Sequence, residues 1–162
     1  MSGDGPVEAP AEHLTGEAGD LLAQLAGPGA VLIGIGWATV DLDRAAPELC
    51  ERLQTKAAGP APADRLLGAR ARIATLVASP AGPALALVVL EPDREGPLAA
   101  FLARHGEGIA AVYARLPGGA AGSFEDDPAR GSVVAGPLGP ARRRAGGRNG
   151  PFLIELLGPR GL

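Results

Sequence analysis

The first place to look for chemistry in this chain is a carboxylate inside an apolar strand. Glu155 stands in "FLIELL", where alternation sets Phe152, Ile154 and Leu156 on one side and Leu153, Glu155 and Leu157 on the other. If buried, Glu155 needs a cationic partner, a metal or a proton of its own; on an edge strand it is a solvated surface group. The residue pattern leaves both readings open. The basic run Arg142, Arg143, Arg144 with Arg148 divides in the same way, between a solvated loop and an anion site for a phosphate or carboxylate. Arg70 and Arg72, on one face of a strand, invite the same choice.

Other chemistries are poorly served. "GIGWAT" after a strand lacks the third glycine and the later acidic residue of a dinucleotide site. There is no G-x-S-x-G, and the histidines, His13 and His105, fall in a tail and a connector, too few and too far apart for a histidine metal site. Cys50 lies beside a helical apolar stripe and reads as packing. A single cysteine leaves no disulfide framework. The formal net charge of −3 gives no drive toward nucleic acid or an anionic membrane. No basic-then-apolar leader and no bilayer-length apolar run is present, so the expectation is a cytoplasmic protein that neither enters a membrane nor binds nucleic acid.

The elements that must position these groups follow from periodicity. The 162 residues suit one domain, although Gly and Pro together make about a quarter of them, near the level that marks disorder. Residues 1–28 read as an N-terminal extension, a tail to about residue 12 and then a short helix with Leu14, Leu21, Leu22 and Leu25 on one side. Residues 29–158 form the domain, and 159–162 a C-terminal tail. "AVLIGIGWATV" (30–40) is a strand with Ile33, Ile35 and Trp37 on one face and Leu32, Gly34, Gly36 and Ala38 on the other. A helix follows, capped by Asp41 or Asp43, with Leu42, Ala45, Leu49 and Leu53 as its stripe and Pro47 in or near its first turn. "GPAPAD" (59–64) reads as a loop, 66–79 as a strand bent near Gly68, and 84–92 as a strand. A short helix over 98–104 leads to a strand from Gly108 to Leu116 that carries Ala110 and Ala111 side by side, a poor choice for a strand. Residues 117–131 show no periodicity, "SVVAGPL" is a short strand, "GPARRRAGGRNG" a basic loop, and 151–157 the last strand. The order gives an α+β fold in two halves that each begin with a strand.

Taken together, "VLIGIGWATVDLDRA", "LALVVLEP", "PLAAFLARHGEGIAAVYARL" and "GPFLIELLGP" resemble the vicinal oxygen chelate superfamily of glyoxalase I, bleomycin-resistance proteins and extradiol dioxygenases, and within it the methylmalonyl-CoA epimerase-like branch. The resemblance implies two βαβββ modules forming a cupped, incompletely closed mixed sheet around a cavity. In the metal-dependent members a His from the first strand and a Glu or Gln from the last strand of each module hold the ion. Those positions fall here on Leu32, Val88, Ala111 and Glu155, of which only Glu155 keeps its type. The resemblance thus implies no metal, since one carboxylate cannot hold a divalent ion against water, and no cofactor. The cavity face it implies bears Leu32, Gly34, Gly36, Val88, Leu90, Ala111, Tyr113, Leu153 and Glu155, with Arg144 as a further ligand contact.

The expectation is a homodimeric binder of a hydrophobic or aromatic small molecule, such as a secondary metabolite. The alternative is a metal-free isomerase, cyclase or lyase acting on a natural-product or acyl-CoA intermediate, with Glu155 as acid or base and Tyr113 assisting. A third reading is an accessory partner with a vestigial pocket.

Overall fold

The computed structural model describes residues 10–77, 84–117, 133–145 and 150–157. Three helices, α1 (Pro10–Ala26), α2 (Leu42–Arg52) and α3 (Pro97–His105), accompany eight strands. These are β1 (Val31–Ala38), β2 (Gly59–Asp64), β3 (Ala69–Val77), β4 (Ala84–Pro92), β5 (Gly108–Arg115), β6 (Val134–Gly136), β7 (Gly139–Ala145) and β8 (Phe152–Leu156). The fold is α+β, as expected. The strands form one mixed sheet in the order β2-β3-β4-β1-β5-β8-β7-β6, with β1–β4 and β5–β8 parallel. The sheet curls until β2 and β6 approach each other without pairing, giving a nearly closed barrel with one unsealed seam.

The two faces of the sheet carry separate cores. The outer face buries Ile35, Leu87, Val89, Val112, Ala114 and Leu153 beneath α1 and α2. Both helices supply apolar stripes. α1 contributes Ala11, Leu14, Ala18 and Leu22 and packs on β1, β5 and β8. The helix begins at Pro10, so the expected tail through residue 12 is corrected, and residues 1–9 lie outside the described residues. α2 buries Leu42, Ala45, Leu49 and Cys50 as anticipated. Its cap is Asp41, which accepts the Arg44 N–H at 3.2 Å. Pro47 sits beyond the first turn and leaves the Asp43 carbonyl without its helical donor. The inner face buries Val88, Leu90, Ala110, Ala111, Tyr113, Phe152, Ile154 and Leu156, together with Leu98 and Phe101 of α3.

Two expected loops are strands. Residues 59–64 pair with β3 despite Pro60 and Pro62, because an edge strand tolerates a missing N–H on the side that has no ladder. Residues 139–145 pair with β8, because each arginine finds a partner across or on the sheet. Residues 118–132 lie outside the described residues, as do the turn at 79–83, Arg148 and the tail 159–162.

Candidate active site

Pleat alone does not decide which residues face inward, because two β-bulges shift the pattern. Between β1 and β5 the register runs Leu32↔Ala114 and then Gly34↔Tyr113, so Ile33 is an extra residue. Leu32 therefore packs against the outer core and Ile33 against the inner one. Further along, Gly36↔Ala111 is followed by Trp37↔Ile109, and Ala110 is the extra residue. Ala110 and Ala111 consequently both face inward, at 0% exposure, where larger neighbouring side chains would collide. That accounts for two alanines in succession in β5.

Four expected site residues meet around Gly36. A Cβ there would lie 3.0 Å from Ala111 Cβ, 3.1 Å from Leu90 Cδ1 and 3.2 Å from Tyr113 Cε2. Val88 belongs to the same inner cluster, and Gly34 faces Ala86 and Leu138 of that cluster. Leu32, Leu153 and Glu155 do not join them. Leu153 is in the outer core, and alternation along β8 carries Glu155 to that same face, while Ile154 is the residue beside Tyr113. The expectation of one shared face is corrected for these three, by the bulge at Ile33 for Leu32 and by the phase of β8 for Leu153 and Glu155.

Glu155 is buried and satisfied by a cation. Arg142 lies directly across from it on β7 and donates from Nε to Glu155 Oε1 at 2.6 Å, with both side chains buried. Arg144 donates to the same oxygen at 3.4 Å from the bulge that follows Arg143. The Arg144 guanidinium thus serves a protein carboxylate on the outer face. Arg143 turns the other way and lies over the Phe152 ring, 5.6 Å from its centroid. Arg70 and Arg72 are held by Glu91 and Asp43.

The polar pair on the inner face is a different one. Tyr113 Oη donates to Asp64 Oδ2 at 2.7 Å, and each residue is 1% exposed. Asp64 ends β2, and its other carboxylate oxygen accepts the Leu67 N–H at 3.1 Å across the turn that leads to β3. Burial pushes the Asp64 carboxyl up from its ordinary range, against the opposing pull of the bonds from Tyr113, Leu67 and Leu66. Burial, and then the charge and hydrogen bond of Asp64, hold the Tyr113 phenol well above its ordinary range. Sequence reasoning found Tyr113 and missed Asp64, which lay in the segment read as a loop. The available signal was an Asp followed at short range by backbone donors and a glycine, the pattern of an Asp-capped turn.

The positions that the resemblance implies for metal ligands do not supply a donor set that fits that metal. Leu32, Val88 and Ala111 have no ligating atom, and Leu32 and Glu155 lie on the outer face. Among the described residues no three of His, Cys, Asp or Glu come together. None of the described helices is long and apolar enough to cross a membrane.

No protein-family model and no curated protein matches the chain. Solved structures do. The Streptomyces coelicolor methylmalonyl-CoA epimerase in complex with 2-nitronate-propionyl-CoA superposes with a TM-score of 0.54 at 18% identity, over 78% of this chain and 97% of that one. The fold is that of methylmalonyl-CoA epimerases. The Mycobacterium tuberculosis epimerase gives a TM-score of 0.55 at 19% identity, over 84% of this chain and 91% of that chain. A hypothetical protein from Bacillus halodurans C-125 gives 0.57 at 17% identity, over 83% of this chain and 98% of that one. These epimerases belong to the vicinal oxygen chelate superfamily, and the α+β fold with its nearly closed mixed sheet is as that resemblance implied. At such identities the likeness is one of fold. The epimerase fold is kept here while the inner face carries a phenol–carboxyl pair among apolar side chains.

Proposed function

We propose that the protein binds a small, largely apolar or aromatic molecule on the inner face of the sheet, without metal, and that Tyr113 and Asp64 anchor it. The observation that carries this reading is the Tyr113–Asp64 bond inside an otherwise apolar cluster. The phenol donates to Asp64 and keeps lone pairs that accept from a ligand hydroxyl, while Leu90 and Ala111, packed closely at Gly36, give an apolar surround that parts to admit the ligand. The ligand chemistry that suits this site is an apolar body with one hydrogen-bond donor. Fluorescence titration compares 2-naphthol with naphthalene. The expected result is saturable binding of 2-naphthol, with naphthalene weaker by about ten-fold, one hydrogen bond's worth. Equal affinity for the two, or no saturation with either, contradicts the reading.

One observation favours a second reading, a metal-free isomerase or lyase. Burial raises the Asp64 carboxyl above its ordinary range, the direction that favours a group able to hold and hand on a proton. A solved structure of the same fold, a methylmalonyl-CoA epimerase, is a complex with methylmalonyl-CoA, which makes acyl-CoA thioesters the first class to try. Uptake of solvent deuterium into methylmalonyl-CoA that is abolished by Asp64→Asn supports catalysis; a thioester returned without label opposes it.

The proposal includes a homodimer. β2 pairs with β3 only as far as Gly59↔Ile73, so among the described residues β3 beyond Ile73 has no strand on that side, and Val77 there is 53% exposed. Sedimentation at micromolar concentration checks this; a single monomeric species across that range counts against it.

A further inference from the structure

A cavity of about 550 Å³, lined by neither residue of the inner pair, lies between the connector that follows α2 and the end of β3. Residues 54–57 form one wall, and Ile73, Ala74, Thr75 and Val77 the other. The volume suits a small ligand or a few residues of peptide. The connector is held off β3 by its own bonds. At the end of α2 the Thr55 N–H donates to the Cys50 carbonyl at 2.9 Å and the Gln54 N–H to the Glu51 carbonyl at 3.2 Å, with Gln54 left-handed at a φ of 57°. That is a helix stop usually built on glycine, and here a glutamine holds it. Thr55 Oγ1 then donates to the Lys56 carbonyl at 2.8 Å. β2 therefore joins β3 only at Gly59↔Ile73, and among the described residues the groove beyond stays open.

The groove meets a strand edge whose phase is fixed. Asp93 donates to the Gly68 carbonyl at 3.0 Å, and β3 pairs with β4 in unbroken register from Ala69↔Pro92 to Val77↔Ala84. Gly68 thus turns its main chain to β4, and so do Arg70, Arg72, Ala74 and Leu76 by alternation. Leu90, opposite Ala71, accordingly gives its carbonyl to the Thr39 N–H at 2.8 Å rather than to β3. Thr75 and Val77 aim their N–H and C=O groups the other way, into the groove, where no described strand receives them.

Lys56 is the chain's only lysine; it stands in the wall of the groove, and no described carboxylate pairs with it. We propose that this groove binds the C-terminal end of an extended peptide, added as a strand antiparallel to β3, with main-chain bonds to Thr75 and Val77 and the terminal carboxylate on Lys56. Charge selects the direction. A strand antiparallel to β3 runs toward Gly59 and ends beside the connector, so it brings a carboxylate to Lys56; a parallel strand brings its ammonium there and is repelled. A second copy laid edge to edge supplies main chain but no terminal carboxylate, so peptide and dimer compete for this edge. The site is independent of the inner-face reading.

The test is fluorescence anisotropy of an N-terminally fluorescein-labelled hexapeptide of alternating threonine and valine, titrated with the full chain. The expected result is saturable binding of the free acid, with its C-terminal amide weaker by about ten-fold, the loss of one charge-assisted hydrogen bond. Lys56→Gln, at an exposed position, brings the acid down to the amide and leaves the amide unchanged. N-methylation of alternate peptide amides, which needs no variant, abolishes binding for one set of positions and spares the other. No saturation, equal affinity of acid and amide for the wild-type chain, discrimination that survives Lys56→Gln, or equal tolerance of both methylated sets overturns the proposal. A dimer in sedimentation that excess peptide leaves intact, with no change in anisotropy, assigns the edge to a second copy instead.

Discussion

Among the described residues two carboxylates are buried, on opposite faces of one sheet, and they are satisfied in opposite ways. Glu155 on the outer face is matched by the Arg142 guanidinium at 2.6 Å. Asp64 on the inner face is matched by a neutral phenol at 2.7 Å and by backbone donors. An acid bonded to a buried guanidinium is held in place, and such a pair acts as a structural clasp between neighbouring strands. An acid held by neutral donors keeps a cost for its charge, and that cost leaves it disposed to trade a proton or a hydrogen bond with a newcomer. The partner, rather than burial itself, separates the carboxylate that clasps two strands from the one proposed to meet a ligand.

The comparison breaks most sharply at Glu155. Glu155→Gln removes the negative charge to which Arg142 Nε donates at 2.6 Å, and the expected loss is about 3–5 kcal/mol of unfolding free energy, read by chemical denaturation. A loss under about 1 kcal/mol, the scale of an exposed pair, would mean that the outer pair is not the clasp described.

Removing the phenol oxygen acts on the other acid. Tyr113→Phe leaves a buried Asp64 oxygen short of a donor, and the expected cost is about 1–3 kcal/mol. Because the Tyr113 bond lowers the Asp64 pKa, the variant raises it further. The pH dependence follows from the sign of the shifts. Asp64 has a folded pKa above its ordinary 3.8, so the folded state holds this proton more tightly. Its contribution to stability is complete below that value and is lost as pH rises through the folded pKa. Tyr113, also raised, gives up its contribution as pH climbs above its ordinary 10.0. Asp64→Asn removes the acidic slope and leaves the alkaline one; urea denaturation across pH checks both. An acidic slope that survives Asp64→Asn assigns it to another group.

The smallest expected effect is at Gly36. Gly36→Ala sets a methyl 3.0–3.2 Å from Ala111, Leu90 and Tyr113, contacts tight enough to require a shift of a few tenths of an ångström. The expected cost is about 1 kcal/mol, at the lower end of overpacking penalties, with Tyr113 displaced and 2-naphthol bound more weakly. Unchanged stability with unchanged affinity separates Gly36 from the site.

Much of the fold was legible because long apolar runs have few places to go. β1, β4, β5 and β8, with the stripe of α2, followed from periodicity, and the order of elements suggested two halves. What periodicity could not supply was phase. A bulge changes which face a residue occupies without altering composition, so Leu32 and Ile33 exchanged faces and Ala110 joined Ala111. The inner site suffered in the same way. Tyr113 was found from its strand, but Asp64 lay between prolines and a turn, where propensity argues for a loop and only the sheet's edge makes a strand. Glu155 was singled out with burial and solvation both left open; it is buried, and its partner, Arg142, lay in a run that reads either as a solvated loop or as an anion site.

The most direct measurement follows both acids at once. Carboxyl-carbon NMR resolves the Asp64 and Glu155 side chains in one titration, with and without saturating 2-naphthol. The expected result is an Asp64 midpoint above 3.8 in the free protein, and an Asp64 resonance displaced by the ligand while that of Glu155 stays where it was. A Glu155 resonance that moves with ligand while Asp64 does not, or an Asp64 midpoint at or below its ordinary value, would place the site on the other face of the sheet or remove the physical basis for the inner one.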